Sequence, residues 1–246
     1  MHKKLVLFLF LLVLAVLSSP SPVFASVGYW NVNVLVAYDE EWQSTAQWVY
    51  AYSARELADI IISDVRDCFY RQFSIRFWAV SYVFWDSYDS PADADEMMDE
   101  VIRETGFHSG MSIGNYVAHV LVAFTDQDIP DCYGYSDKSL GVVLVEETYS
   151  TYVGQATDNI LQHELSHLYH ALDHSQKGLD CVMNGYPVEV GFQYFVPTAL
   201  TTNNWCSDCV DIINNHKSYW GEHDESSGGG GGGGTLWWNR FWMCKQ

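Results

Sequence analysis

The chain is organised around one stretch, His163-Glu164-Leu165-Ser166-His167-Leu168-Tyr169-His170-Ala171-Leu172-Asp173-His174. On a helix, residues four positions apart lie on one face, so His163 and His167 can present two imidazoles to a single metal ion, with the Glu164 carboxylate beside them. This pattern is typical of the active-site helix of zinc hydrolases, but a surface helix can also match it by chance. The surroundings of the stretch therefore decide its interpretation.

A third metal ligand would follow the helix, since a catalytic zinc ion usually takes three protein ligands and leaves a fourth position for water. Asp173 is the sixth residue after His167, and His174 is the seventh. This spacing resembles the metzincin clan of zinc endopeptidases, and an aspartate at that position resembles the snapalysin subgroup. The resemblance implies that Asp173 is the third ligand, with His174 in reserve.

A downstream methionine adds to the resemblance. Metzincins place a methionine in a tight turn below the zinc, and Met183 lies in Cys181-Val182-Met183-Asn184-Gly185, where Asn-Gly is typical of a turn. The resemblance implies an α/β fold, with a twisted mixed sheet, packed helices and a small C-terminal subdomain that carries the methionine turn. It also implies an endopeptidase that cleaves polypeptides with a metal-activated water and Glu164 as the general base.

The stretch departs from the clan at His170, where metzincins have glycine. The backbone turns sharply there in a left-handed conformation, which costs a non-glycine residue roughly 1 to 2 kcal/mol. Both Asp173 and His174 therefore remain open as the third ligand.

The cysteines resemble part of a second, structural zinc site. In archaemetzincins, a cysteine after the third ligand, a Cys-x-Met and a later Cys-x-x-Cys bind such an ion. Here His174 stands in place of the first cysteine, and the other two pieces are Cys181-Val182-Met183 and Cys206-Ser207-Asp208-Cys209. The resemblance implies a site of one imidazole and three thiolates, from His174, Cys181, Cys206 and Cys209. Disulfide bonds among the three cysteines are the alternative, because disulfides persist in exported proteins.

The N-terminus has the pattern of a secretory signal peptide. His2-Lys3-Lys4 is basic, residues 5–17 are apolar, and Val23-Phe24-Ala25 fits a cleavage site, so residues 1–25 are expected to be removed and the mature protein secreted. Loss of Lys3 and Lys4 changes the formal charge from −19 to −21. Such an acidic protein repels phosphate backbones, which argues against a nucleic-acid partner.

Residues 26–224 are long enough for one metalloprotease domain. The serine and glycine residues of 225–234 predict a linker without a fixed conformation. The tail 235–246 is aromatic and mildly basic. Contact with a membrane interface, binding of a partner and packing back onto the domain are equally consistent with it.

The order of predicted elements is typical of a mixed sheet with helices packed against it. Strands are predicted over 31–37, 75–84, 116–124 and 141–147, and helices over 42–69, 91–105, the motif from Asp158 and 205–216. In the clan, the strand at 141–147 would be the edge that lines the cleft and pairs with an extended peptide.

Two other interpretations compete with this one. A zinc hydrolase of non-metzincin fold would take Glu189 as a distant ligand, but Pro187-Val188 and Val190-Gly191 around it predict extended chain. A secreted, non-catalytic binding module could hold a purely structural metal. The presence of Glu164 argues against that module, because a structural site has no use for a general base.

Overall fold

The computed structural model describes residues 28–87, 91–147, 149–150, 154–190, 194–224 and 240–244. The predicted signal peptide and glycine linker lie outside these residues. Among the described helices, none has the length and apolar character needed to cross a membrane.

The described residues contain five α-helices and one short 3-10 helix. They are α1 (Glu40–Val49), α2 (Ala54–Phe73), α3 (Ala94–Thr105), α4 (Thr157–Leu168), α5 (Ser207–His216) and the 3-10 helix Thr198–Thr201. The prediction of one helix over 42–69 was wrong, because the chain breaks between α1 and α2. Ala51 is left-handed there (φ 58°), and Ser53 starts α2 with a capping box to Glu56. The predicted end of the helix over 91–105 is confirmed, and Gly106 follows it with a left-handed φ of 62°.

The strands are mostly short. They are β1 (Trp30–Tyr38), β2 (Ile75–Phe84), β3 (Met111–Ile113), β4 (Tyr116–Ala118), β5 (Val120–Thr125), β6 (Cys132–Asp137), β7 (Val142–Glu146), β8 (Tyr149–Ser150), β9 (Gly154–Gln155), β10 (Pro187–Val190), β11 (Tyr194–Pro197), β12 (Glu222–His223) and β13 (Arg240–Cys244). The predicted strand over 75–84 is confirmed at both ends. The one predicted over 116–124 is two strands, since β4 pairs with β3 while β5 enters the main sheet.

Seven strands form one sheet, in the order β12-β1-β5-β7-β6-β13, and β2 also pairs with β1. The pairs β1–β2, β1–β5 and β5–β7 are parallel, whereas β6 pairs antiparallel with both β7 and β13. The fold is therefore α/β, with a mostly parallel sheet and packed helices, as predicted.

The position predicted for the strand over 141–147 was wrong. This strand is β7, and it lies inside the sheet between β5 and β6. The sequence analysis missed β6 because Gly134, Ser136 and Asp137 interrupt its apolar pattern. β6 lies between β7 and β13 and borders α4.

Both faces of the sheet are covered, so alternate residues of each central strand enter different cores. In β1, Val32, Val34 and Val36 pack with α2 and α4, whereas Leu35 and Ala37 pack on the other face with α3. The first core also contains Met183 and the start of the C-terminal region, and thus holds α4 against the sheet.

Candidate metal centre

Helix α4 carries the two motif histidines into the interior. Every side chain from Ile160 to Leu168 is buried, and His163, Glu164 and His167 are at most 1% exposed. The helix starts at Thr157, one residue before the predicted start at Asp158, and the Thr157 hydroxyl donates to Glu147 Oε2 (2.7 Å). The buried helix leaves the motif side chains little freedom to move.

Three candidate ligand atoms converge beside α4. The Nε2 atoms of His163 and His167 are 3.0 Å apart, and Asp173 Oδ1 lies 3.2 Å from the first and 3.5 Å from the second. Ligand atoms about 2.0 to 2.1 Å from a tetrahedral zinc ion are roughly 3.3 Å from one another. The triangle therefore has the size that one such ion requires, and Asp173 rather than His174 completes it.

The other ring nitrogen of each histidine is held by a backbone carbonyl. His163 Nδ1 lies 2.8 Å from the carbonyl oxygen of Val182, and His167 Nδ1 lies 2.8 Å from that of Ala171. A carbonyl can only accept, so both Nδ1 atoms carry a proton, and in the neutral form of each ring the Nε2 atom presents a lone pair. This is the arrangement that orients metal-binding histidines.

Burial and the two carboxylates set the protonation of the imidazoles. Burial and the neighbouring His163 lower the pKa of His167 to about 3, so His167 is neutral, the form that binds a metal ion. Burial also acts to lower the pKa of His163, but the hydrogen bond to Asp173 and the charge of Glu164 outweigh it and raise that pKa to about 9. The site therefore favours positive charge between the carboxylates, as a proton or as a metal ion.

Glu164 is buried beside the triangle but outside it. Its Oε1 is 4.0 Å from His163 Nε2, farther than the Asp173 oxygen, and has no hydrogen-bond partner. Its Oε2 accepts a hydrogen bond from the Ser136 hydroxyl in β6 (2.7 Å). Burial raises the pKa of Glu164 to about 7, against the lowering effect of His163 and Ser136. One oxygen of a near-neutral base is thus left free next to the metal position.

His170 adopts the left-handed conformation predicted from the position of the clan's glycine, with a φ of 68°. Its ring stacks on His216 (4.5 Å between centroids) and meets Tyr219 edge-on, and its Nδ1 lies 3.4 Å from Lys138 Nζ. These contacts point the ring towards α5, so His170 takes no part in the ligand triangle.

A second group able to hold a metal ion lies next to the first. His174 Nε2 is 3.0 Å from Cys209 Sγ and 3.4 Å from Cys206 Sγ, and the sulfurs of Cys181 and Cys209 are 3.8 Å apart. Sulfurs about 2.3 Å from a tetrahedral zinc ion are roughly 3.8 Å from each other. The predicted set of one imidazole and three thiols is thus brought together with the spacing of a metal site.

The cysteines of this cluster are free thiols, so none of Cys181, Cys206 and Cys209 forms a disulfide bond in the structure. The hydrogen bond between the Cys181 and Cys209 thiols lowers the pKa of Cys181 to about 5, against the effect of burial, and the backbone N–H groups of Cys206 and Met183 act in the same direction. Cys181 is therefore prepared to bind a cation as a thiolate.

The two clusters share a backbone. Asp173 and His174 are adjacent, yet one faces the histidine pair and the other faces the cysteines. Cys181 belongs to the second cluster, and the carbonyl of the next residue, Val182, holds His163 of the first. The buried Met183 follows and accepts a backbone hydrogen bond from His174 (2.7 Å). Whatever fixes the cysteine cluster therefore also positions a ligand and an orienting carbonyl of the histidine cluster.

Sequence analysis missed two residues that support these clusters. Ser136 lay in a strand that the apolar pattern did not reveal. Asn184 was assigned only to turn chemistry, whereas its buried side chain donates to the carbonyls of Gln176 and Leu179 and accepts from the Gln176 N–H. The single signal for Asn184 was its place directly after Met183. Of the other predictions, Glu189 lies in β10, which is extended as expected.

Comparison with known proteins leaves the family open. No family model and no curated protein matches the chain. A solved structure described as "Structure of a chaperone-substrate complex" aligns with 79% of this chain and 36% of that chain, at 13% identity and a TM-score of 0.49. This chain spans about a third of that chain's length, and a likeness of this size carries no argument about function.

Proposed function

We propose that this protein is a secreted zinc-dependent endopeptidase of metzincin type, with His163, His167 and Asp173 as ligands of a catalytic zinc ion. The observation that carries the proposal is the triangle of ligand atoms with a free oxygen of Glu164 beside it. A purely structural site would not need a buried carboxylate that leaves one oxygen unpaired.

The residues of the chain supply positioning and proton transfer. A zinc ion, when bound, contributes Lewis acidity, which lowers the pKa of a water molecule and polarises the scissile carbonyl. Glu164 Oε1 takes the proton of the attacking water and passes it to the leaving amine. Because Ser136 occupies Oε2, the proton goes to the oxygen that faces the metal position. Such hydrolysis requires no covalent enzyme intermediate.

A polypeptide substrate would run along β6. This strand contacts Glu164 through Ser136 and approaches α4 at Gly134, where an added Cβ would lie 2.8 Å from Glu164 Cγ. An extended peptide that pairs with β6 by strand addition would therefore pass beside the catalytic groups. Polar pairing of this kind suits a polypeptide rather than a small molecule.

We further propose a second, structural zinc ion at His174, Cys181, Cys206 and Cys209. Its support is the 3.8 Å separation of two sulfurs and the lowered pKa of the Cys181 thiol. Four protein ligands close the coordination sphere, which is typical of structural rather than catalytic zinc. Such an ion would fix the positions of Asp173 and Val182.

The test compares Glu164→Gln with Glu100→Gln, a matched change at a buried glutamate in α3 that pairs with Arg103. We expect zinc-loaded Glu164→Gln to retain its metal but to cleave a denatured protein roughly 10² to 10⁴ times more slowly than the parent chain. Glu100→Gln should cleave at the parent rate. Cleavage that survives a zinc chelator, or that is unchanged in Glu164→Gln, would contradict the proposal and favour the non-catalytic module.

A further inference from the structure

Two cysteines of the second cluster lie in the first turn of helix α5. Cys206 is the N-cap residue of the helix, and Cys209 is the third residue after it. A helix N-terminus favours negative charge, and a Cys-x-x-Cys pair is an arrangement found in dithiols that alternate between thiol and disulfide forms. The two sulfur atoms lie within 4.8 Å of each other. Side-chain rotation has to close this gap to the roughly 2.05 Å of an S–S bond.

The three cysteines of the cluster differ in their access to solvent. Cys181 and Cys209 are fully buried, whereas Cys206 is half-buried. Exchange with an external disulfide requires direct access of a thiolate to that disulfide. An external disulfide therefore reacts first at Cys206. Cys209, in the same helical turn, is then the neighbouring thiol that completes the exchange.

Short hydrogen bonds connect the segment before Cys206 to the histidine cluster. The carbonyl of Asn204 accepts from the Val182 N–H (2.7 Å), and the carbonyl of Val182 accepts from His163 Nδ1 (2.8 Å). The Cys206 N–H also donates to Cys181 Sγ (3.3 Å), next to Val182 in the chain. A movement of Cys206 is therefore passed to His163 through two hydrogen bonds.

The same segment is attached to α4. The Trp205 indole N–H donates to Ser166 Oγ (2.9 Å), and the Gln162 side-chain amide donates to the carbonyl of Asn203 (2.9 Å). Each of these two α4 residues directly precedes one of the motif histidines in the sequence. The residues just before Cys206 thus hold the neighbours of both imidazoles.

We propose that the cysteine cluster is a redox switch of the peptidase: its thiol form holds the structural zinc ion, and a Cys206–Cys209 disulfide releases that ion and weakens the catalytic site. The proposal rests on the proposed function, since it assigns a regulator to the same metal centre. In the disulfide form, only His174 and Cys181 remain as ligands, and two ligands do not close a tetrahedral coordination sphere.

Two exchanges with a small-molecule disulfide, such as oxidised glutathione, form the bond. The Cys206 thiolate attacks that disulfide, which leaves a mixed disulfide and releases one glutathione thiolate. The Cys209 thiolate then attacks Cys206 Sγ and releases the second glutathione thiolate. The two protein sulfurs lose two electrons, and the glutathione disulfide gains them. No proton leaves the protein, because cysteines bind a metal ion as thiolates.

Zinc and the oxidant compete for the same two sulfurs. A ligand that binds only one form of a protein stabilises that form, and the coupling between two ligands is reciprocal. Excess zinc should therefore slow the loss of Cys206 and Cys209 thiols during oxidation, just as oxidation expels zinc. Thiol alkylation followed by mass spectrometry measures this rate at several zinc concentrations.

The main experiment follows zinc and disulfides in the full chain, loaded with zinc and then treated with oxidised glutathione. We expect a colorimetric chelator to detect release of one of the two zinc ions, and a peptide map to show a disulfide between residues 206 and 209. The remaining ion should bind roughly 10- to 100-fold more weakly, and cleavage of a denatured protein at limiting zinc should slow accordingly. Reduction in the presence of zinc should reverse all of these changes.

Two variants separate the switch from general effects of oxidation. Cys206→His keeps a nitrogen ligand for the structural zinc but has no thiol to oxidise, so we expect it to keep both ions after oxidised glutathione. Cys68→Ser removes a half-buried cysteine outside the cluster and should release zinc as the parent chain does.

The outcomes separate the two proposals. If the 206–209 disulfide forms and zinc is released but no form of the protein cleaves a polypeptide, the proposed function fails and the redox-controlled metal cluster stands. If the oxidised chain keeps both zinc ions and its rate of cleavage, the switch fails and the endopeptidase stands. Equal zinc loss from Cys206→His, or a link from Cys206 to a cysteine outside the cluster, would also overturn the switch.

Discussion

Gly134 is the residue whose missing side chain lets β6 touch α4. A Cβ there would lie 2.7 Å from Ile160 Cγ2 and 2.9 Å from Glu164 Oε1. Because α4 is buried on all sides, Gly134→Ala must displace the Glu164 side chain. We expect at least a roughly tenfold loss of kcat with zinc content unchanged, since a small misplacement of a reacting group is costly. A normal kcat in the alanine variant would show that Glu164 can move without consequence.

His170 offers a test of backbone strain against ring contacts. His170→Ala keeps the left-handed backbone cost of roughly 1 to 2 kcal/mol and loses the contacts with His216 and Tyr219, whereas His170→Gly loses the same contacts but relieves the cost. We therefore expect the glycine variant to be more stable than the alanine variant by about 1 kcal/mol. Denaturant unfolding of both metal-loaded variants measures the difference, and an alanine variant of equal or greater stability would contradict it.

At the level of single residues, sequence reasoning identified the candidate ligands that the structure brings together but not the residues that support them. His163, His167 and the pair Asp173 and His174 could be predicted because ligand spacing along a chain is fixed by coordination geometry. The sequence could not predict which of these two adjacent residues faces the histidines, because one backbone rotation exchanges their positions. The role of Ser136 could not be predicted either, because its contact with Glu164 depends on the pairing of β6 with β7.

Among the elements, the segment between α4 and α5 carries residues of both clusters and thereby couples them. Cys206→Ser removes a ligand of the cysteine cluster, which also releases the segment that carries Asp173 and Val182. We expect this variant to lose the structural zinc and to bind the catalytic zinc roughly 10- to 100-fold more weakly, the usual cost of disturbing residues that orient ligands. Elemental analysis after equilibration with a graded series of chelators measures the number of zinc ions per chain and the affinity of the one that remains.

A substitution in the histidine cluster should leave the cysteine cluster able to bind its own ion. Asp173→Asn weakens only the histidine cluster, because His174 remains tied to Met183 and Gly185 by backbone hydrogen bonds. We expect this variant to keep one zinc ion per chain in the cysteine cluster. Loss of both ions from Asp173→Asn would show strong coupling in both directions, whereas normal affinity for the catalytic zinc in Cys206→Ser would rule the coupling out.

Prediction from sequence succeeded for elements whose residue types favour one structure over their whole length. It failed for elements that depend on contacts with segments far away in the sequence. β2 was predicted at both ends because it is rich in aromatic and β-branched residues. α1 and α2 were merged because both are apolar on one face, and only the capping box at Ser53 separates them. β6 was missed because its glycine and polar residues interrupt the apolar pattern, and β13 was missed because the five residues Arg240–Cys244 follow a glycine-rich linker without a clear period.

At the scale of the whole molecule, a buried acid makes stability depend on pH. Asp39 is fully buried at the start of α1, and burial raises its pKa from 3.8 to about 7. A raised folded-state pKa means that the contribution to stability is complete below pH 4 and is lost as pH rises towards 7. The full loss is about 4 kcal/mol.

Asp39→Asn should remove this dependence and flatten the stability profile between pH 4 and pH 7. Its side-chain oxygen still accepts from the Trp42 N–H, so the cap of α1 is kept. Asp99→Asn, at an exposed position in α3, is the charge-matched control and should leave the slope unchanged. Urea unfolding at several pH values measures how the free energy of unfolding changes with pH. An unaltered dependence in Asp39→Asn would show that another group is responsible.

The pairing of β13 with β6 also bears on how the protein behaves at high concentration. An open sheet edge is a template on which other chains can add strands, and proteins avoid aggregation by covering it. Residues 240–244 close one end of the sheet, while β2 closes the other with exposed aromatic side chains at Trp78 and Phe84. If proteolysis removes the tail, the sheet would have two unpaired edges open to strand addition instead of one. The clipped protein should form filaments or precipitate at concentrations where the intact chain stays monomeric, which light scattering detects, and shelf life would depend on the last few residues of the chain.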